Sequence, residues 1–382
     1  MTTATEGLVA QATSLIPLLR KAAPAAEKAR RVPQDSYDAL AAAGIFRMTA
    51  PKAFGGVEAD FHTQCDVLAE IARGCPSTSW VATIYSAMSW LVGVFPDQTQ
   101  EEIYANRDPR IAGVFSPTGT ATRKDDGFLV NGRWSFNTGC HGATWTVLNV
   151  LVGEMPTCMI ANSADLKILD DWHATGMSAT GSNTVVAENV FVPARRTMPL
   201  PAMLDGKYPA RHNADNPYFK YPLAAVLTVN AGGTPLGTAR GAWDIFMERL
   251  PGRGITYTNY TNKAEAPVTH LQMGEASLKI DSSAAHVHLA TSLLDDAIDG
   301  SLTMQERVKA RAHIAYSTGL AREATDILFY ASGASSIQEH MAIQRYQRDI
   351  QALSNHAIMH PQTSLELYGR VLCGLQPNTL LY

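Results

Sequence analysis

The chain has 382 residues and a net charge of −4, with 46% hydrophobic residues and no long run of one sign, enough to bury a large core in two or three lobes. So small a net charge gives no electrostatic reason to expect nucleic acid or an acidic membrane surface as a partner. Cys65, Cys75, Cys140, Cys158 and Cys373 form no Cys-x-x-Cys pair, which argues against a disulfide framework or a zinc knuckle. No apolar run approaches about 18 residues and no basic, apolar leader follows Met1, so the expectation is a soluble protein of the cytoplasm without a membrane partner.

From about Gly7 to Asn106 the periodicity is helical: Leu8, Ala12, Leu15, Ile16 and Leu19 recur at the spacing of one buried face. Pro33 opens a segment in which Ser36 is placed to cap a helix rich in Ala41, Ala42 and Ala43 and ended by Gly44. Gly55-Gly56 marks a tight turn. Pro76 and Ser77 suit the start of a helix running through Trp80, Tyr85, Met88 and Trp90. Its small residues let another group approach closely, so Tyr85, Met88 and Trp90 are candidates to wall a pocket, with core packing the other reading and the favoured one for Trp80.

Short alternating runs begin near Arg110: Ile111 to Phe115, Gly127 to Asn131, Thr144 to Val152 and Asn183 to Val192. Their ends at glycine, proline and Asp-Asp-Gly argue a central β domain of about a hundred residues. Residues 195–222 lack periodicity and read as a functional loop or a subunit contact. Small-residue helices resume with Ala225-Val-Leu-Thr-Val and Gly237-Thr-Ala-Arg240, and long amphipathic helices follow at about Val268 to Ala297 and Thr303 to Phe329. The expected architecture is mostly α with a central β domain: helices over 1–108, strands over 109–222 and a helical bundle over 223–382.

A late run, Arg345-Tyr-Gln-Arg-Asp349 through His356, reads as one helix stopping near Pro361. Seven residues place Asp349 and His356 on one face, and Arg345 stands where it can pair with Asp349. His356 is either a helix-end histidine on the last carbonyls or a base. With His360 it has helical metal spacing, but no glutamate follows and Pro361 intervenes, so no metal is expected. In the middle, Asn131-Gly-Arg-Trp-Ser-Phe136-Asn-Thr138-Gly-Cys-His141 and Trp172-His-Ala-Thr-Gly176-Met-Ser-Ala-Thr180-Gly-Ser182-Asn bring hydroxyls and glycines together, able to present donors and acceptors to a ligand or to satisfy ordinary strand and turn backbone. Phosphate-loop, dinucleotide-fingerprint and nucleophile-elbow patterns do not occur.

The order of these segments resembles the acyl-CoA dehydrogenase superfamily over nearly the whole chain. The Asn131 to Thr138 stretch is similar to its flavin-contacting strand, with Phe136 at a tryptophan position and Thr138 at the threonine that hydrogen-bonds flavin N5. The Gly176 to Ser182 stretch resembles its Gly-Met-Arg-x-Thr-Gly-Ser segment, although Ser178 stands where the family carries arginine. Ser116 falls where an acid lies in the loop over the isoalloxazine, Arg253 near the arginine that reaches a neighbour's pyrophosphate, and Gly333 at one of two glycines that contact a neighbour's cofactor, the other being Ser332. The acid that removes the α-proton is missing at His356-Ala357-Ile358, and histidine there is similar to the oxygenase components of two-component flavin-dependent phenol and aryl hydroxylases.

That resemblance implies a helical N-terminal domain, a middle β domain and a C-terminal four-helix bundle, assembled as a homotetramer. It implies reduced FAD or FMN delivered by a separate NAD(P)H:flavin reductase, O2 added as a C4a-hydroperoxide, and oxygen transfer to a phenol, indole or polycyclic aromatic. In these terms His356, Thr138 and Ser116 are catalytic, and Ser116, Phe136, Thr138, Thr180, Ser182, Arg253 and Gly333 hold the cofactor. Tyr85, Met88 and Trp90 bound the substrate. An N- or S-oxidising relative, a dehydrogenase with a relocated base and a non-catalytic homologue are the alternatives.

Overall fold

The structure, a computed structural model, describes residues 4–297 and 299–382. Helices α1 (Ala4–Ser14), α2 (Ile16–Ala29), α3 (Gln34–Ala42), α4 (Phe61–Gly74), α5 (Pro76–Val92) and α6 (Asp97–Tyr104) come first. Pro33, and not Ser36, caps α3; Ser36 lies one turn inside, buried, because a proline with extended ψ pre-sets the entry and leaves no strained N–H. Asp60 caps α4 by accepting from Thr63 N–H.

Seven strands then form one sheet: β1 (Ile111–Lys124), β2 (Gly127–Trp134), β3 (Trp145–Val152), β4 (Met155–Asn162), β5 (Lys167–Ile168), β6 (Val185–Pro193) and β7 (Thr197–Pro199), ordered β5-β6-β2-β1-β3-β4-β7. β1 runs parallel to β3, and the other pairs are antiparallel. Asp125, at φ 49°, and Asp126 close the β1–β2 hairpin. Phe115 to Gly119, expected as a loop, lies inside β1, where the register against β3 slips between Val114 and Pro117 and again before Gly119. One apolar cluster, with Trp134, Val150, Met159 and Val192, belongs to the sheet alone.

After the short α7 (Leu200–Leu204), helices return as α8 (Leu223–Asn230), α9 (Gly233–Arg249), α10 (Pro267–Asp295), α11 (Met304–Ala331), α12 (Ala342–Leu353) and α13 (Pro361–Leu372). Thr303 and Glu306 make a reciprocal capping box on α11. No helix among the described residues is long and apolar enough to cross a membrane.

The first helices and the bundle are joined by a glycine seam. Gly233 and Gly237 of α9 lie against the backbone of Cys65 and Ala69 in α4, and Gly241 against Arg73, steps of four residues on both helices. A Cβ at Gly237 would stand 2.0 Å from the Ala69 carbonyl oxygen. We therefore expect Gly237→Ala to force α4 and α9 apart and lower stability by about 1–3 kcal/mol. Thermal melts check this, and an unchanged midpoint would show that the seam is not tightly packed.

Candidate active site

The site is hung on Asp349. Its carboxylate, 2% exposed, accepts the Met177 N–H at 2.5 Å and the Ser77 hydroxyl at 3.3 Å, so α12, α5 and the turn before β6 converge on one side chain. Arg345 does not pair with it: Arg345 Nε donates to Glu27 of α2 at 2.9 Å, and Arg348 donates to the same carboxylate. One carboxylate shared by two guanidiniums outweighs a single pair along a helix, worth a few tenths of a kcal/mol. Burial pushes the Asp349 carboxyl up to about 6, although the Met177 N–H favours the anion. Gly176 has no room for a side chain, since a Cβ would sit 2.1 Å from the Arg348 carbonyl oxygen.

From Met177 a line of hydroxyls runs to Thr138, and its polarity is fixed at one end. The Met177 carbonyl can only accept, so the Thr180 hydroxyl donates to it at 2.7 Å. With that proton used, Ser182 Oγ donates to Thr180 Oγ1 at 2.7 Å, and Thr138 Oγ1 donates to Ser182 at 2.8 Å. Thr138 is thereby left with lone pairs and no proton to offer: it is an acceptor. Around it, the Gly139 N–H donates to Thr180 O at 3.0 Å, and the buried Tyr85 hydroxyl donates to Gly139 O at 2.5 Å.

Two neighbours of Thr138 are unusual for a closed core. Phe136 adopts φ 60° and is 71% exposed, touched edge-on by Trp172 with ring centres 5.7 Å apart. Asn137 is fully buried, yet neither its Oδ1 nor its Nδ2 has a partner. An acceptor hydroxyl, an exposed aromatic ring and an orphaned amide in three consecutive residues fit a flat heteroaromatic group with N–H and carbonyl functions, as a flavin is. Asn137 was not singled out by sequence, because asparagine beside a turn is unremarkable until its burial is seen.

His356 is not on a helix with Asp349. Helix α12 ends at Leu353, and Pro361, expected as a stop, is the first residue of α13, a position where its missing N–H costs nothing. His356 sits on the turn between them, half-buried, its ring edge against Trp80 of α5 at 5.0 Å between centres. Its Nδ1 faces the Ile358 N–H at 3.4 Å, too far to fix the tautomer. Burial, with the nearby Arg311 charge second, pulls the imidazole down to about 4, so it is neutral and unprotonated at neutral pH.

Helix α5 spaces these parts: Ser77 holds Asp349, Trp80 meets His356 and Tyr85 holds Gly139. Trp80 and Tyr85 are about 7.5 Å apart along its axis. Between them lies Ile84, half-exposed while every other residue of α5 is buried, in a row with Trp80 and Met88. Sequence reasoning did not single out Ile84. Met88 backs onto β1, where a Cβ at Gly113 would meet its sulfur at 2.6 Å. Trp90, about 200° further round than Met88, faces the other way, with Nε1 donating to Tyr218 O at 2.8 Å and its ring stacked on Phe219.

Ser116 is exposed in the irregular part of β1. Thr118 donates to Arg133 O at 2.7 Å, which puts Ser116 at the same end of the sheet as Phe136 to Thr138. Arg253 and the segment before Gly333 are linked through Lys263, whose N–H donates to Arg253 O at 2.5 Å and whose Nζ donates to Ala331 O. Gly333 is exposed at φ 80°. Arg249, Arg253 and Lys263 repel one another, and both Arg249 and Lys263 are shifted down by burial and by Arg253. Two cavities, of about 370 and 630 Å³, are lined by neither Thr138 nor His356.

Helices before and after a sheet, joined through α5 and the Met177–Asp349 contact, define an acyl-CoA dehydrogenase fold. Models of the acyl-CoA dehydrogenase N-terminal domain and C-terminal domain match residues 15–107 and 230–361. Within that fold the chain belongs to the oxygenase components of flavin-dependent monooxygenases, being 32% identical over 373 residues to the flavin-dependent monooxygenase oxygenase subunit HsaA of Rhodococcus jostii, across 95% of this chain and 97% of that one. It is 28% identical over 388 residues to the oxygenase component of an FADH2-dependent resorcinol hydroxylase from a Rhizobium species, across 97% and 95%. The solved structure of XiaF from a Streptomyces species, in complex with FADH2 and glycerol, superposes with a TM-score of 0.92 at 29% identity over 98% of this chain and 97% of that one.

The buried Asp349 carboxyl gives a pH-dependent prediction. Its folded value near 6 lies above the ordinary 3.8, so its contribution to stability is full below about pH 4 and lost as pH rises through 6. Asp349→Asn keeps an acceptor without the charge and should gain relative to wild type between pH 5 and 7.5. Asp349→Ala orphans the Met177 N–H and should cost about 1–3 kcal/mol at both. Urea melts at the two pH values decide, and a pH-independent effect of Asp349→Asn would exclude a buried, titrating carboxylate.

Proposed function

We propose that this oxygenase hydroxylates an aromatic substrate whose ring is activated by loss of a hydroxyl or ring N–H proton to His356. The observation that carries this is the fixed polarity of the Thr180–Ser182–Thr138 line, which leaves Thr138 able only to accept. Reduced FAD or FMN, when bound, supplies the electrons that activate O2 and deliver one oxygen atom to the ring. Thr138 would accept a hydrogen bond from the N5 proton, Phe136 and Asn137 would help hold the flavin, and Ser116 would add a polar contact from β1. Ile84 bounds the substrate space, while Tyr85 and Met88 support it from behind through Gly139 and Gly113.

His356 suits the base role because it is neutral at working pH and stands on a turn, free of helix carbonyls. An unprotonated imidazole can accept the substrate proton as the reaction proceeds, so the base is in the required form throughout the neutral range. The flavin reductase is a separate chain in this reading, working in the cytoplasm.

A homotetramer is also proposed. Leu271, Leu278 and Leu289 of α10 are 75%, 68% and 50% exposed and share one helix face, and Tyr330 at the end of α11 and Ile337 just after it are also open. Arg253, Lys263 and Arg249 form a cationic group without a carboxylate in ion-pair range among the described residues, suited to the pyrophosphate of a flavin on a neighbouring subunit.

The test is rapid mixing of reduced FAD or FMN and the protein with oxygenated buffer. Thr138→Val, which cannot accept, should release peroxide about tenfold faster or more than wild type, whereas His356→Ala should leave that rate alone and lower hydroxylation of a phenol panel by about 10²–10⁴-fold. Equal peroxide release in wild type and Thr138→Val would overturn the role of Thr138. Near-normal turnover in His356→Ala would point to N- or S-oxidation.

A further inference from the structure

Arg311 of α11 is 7% exposed and, among the described residues, hydrogen-bonds only neutral groups: Nη2 donates to Ala357 O at 3.1 Å, Nε to Ser364 Oγ at 3.2 Å, and Nη1 to Leu381 O. Ser364, itself fully buried, passes its proton to Ile358 O at 3.2 Å. The two carbonyls that follow His356 are therefore held by one guanidinium, directly and through one hydroxyl. The same guanidinium grips the segment after α13.

A buried charge without a counter-ion is costly, and tying down a turn needs only neutral donors. Keeping a full cation here has a chemical use that a neutral donor lacks. Its field disfavours imidazolium at His356 in the resting site, and it offsets negative charge on a substrate that has just lost a proton at the same place.

We propose that Arg311 is a positioning residue for His356, and that residues 379–382 complete its clamp, so that this distant segment sets both the placement and the electrostatics of the base. This rests on the reading of His356 as the base. The groups packed around His356 are Trp80 from α5, Arg311 from α11 and its own turn, where His360 Nδ1 is buried without a partner; the Asp349 carboxylate of α12 is turned to Met177 and Ser77. Arg311 is the group whose charge bears on the imidazole.

The experiment is a pH titration of the flavin-free protein labelled at histidine Cε1, followed by NMR, with His356→Gln assigning the resonance and thermal melts confirming folding. Arg311→Gln should raise the His356 pKa by about one unit, a tenfold gain in proton affinity. Arg311→Lys, which keeps the charge, should leave it low. Deleting residues 379–382 removes the Leu381 carbonyl from the clamp and lets water reach and screen the guanidinium, so it should shift His356 in the same direction as Arg311→Gln; it carries the test should that variant fail to fold. An unmoved His356 titration in folded Arg311→Gln or in the deletion overturns the proposal. A shifted titration with an unshifted pH–rate profile for hydroxylation upholds the clamp and overturns the base assignment instead.

Discussion

The hydrogen bond from Met177 N–H to Asp349 is the contact on which the site depends. It is made between a turn of the sheet region and a helix of the bundle, residues 172 apart in sequence, and it fixes a peptide whose carbonyl starts the hydroxyl line to Thr138. A carboxylate is suited to this job because it is acceptor-only and can hold a backbone N–H and the Ser77 hydroxyl at once. The burial that raises its pKa is the cost of placing such an acceptor where three elements meet.

Helix α5 turns that contact into geometry. It is buried nearly all round, packed against β1 on one side and the bundle on others, so it cannot rotate to accommodate a change at one end without disturbing the other. The residues that touch Asp349, His356 and Gly139 lie within nine positions of one another on it. The glycine seam between α4 and α9 serves the same end, since close backbone contact leaves little slack for the two halves of the helical framework to slide.

Much of this was legible from the residues. Helical periodicity located α1, α10 and α11, and alternation located β2, β3 and β6, because each buries one face and its pattern records it. Strand β4 escaped notice: Met155-Pro-Thr-Cys-Met-Ile-Ala-Asn162 has few β-branched residues, and it is a strand because β3 and β7 pair with it on either side. Helix α13 was hidden by reading Pro361 as an end when proline serves equally as a beginning. The candidate pair Thr138 and His356 could be named from motif order, but the partners that give each its chemistry could not. Ser182 and Asp349 were in view as turn and helix residues, but their contacts to Thr138 and Met177, 44 and 172 residues away, were not. Arg311 and Ile84 were not singled out, since a chain carries no local mark of such environments.

The two buried charges of the site have opposite signs and opposite surroundings. Asp349 accepts backbone and hydroxyl protons and orders donors on the Thr138 side, while Arg311 donates to carbonyls and a hydroxyl and orders acceptors on the His356 side. Neither is neutralised by the other, as an ion pair would be, so each keeps its field for its own end of the site. In the proposed reaction a cofactor proton is retained and a substrate proton removed, and these are contrary demands on one site. On that proposal, an acceptor line anchored on a carboxylate and a base governed by a guanidinium, with α5 between them, would meet both demands without the two proton-handling groups titrating as a coupled pair.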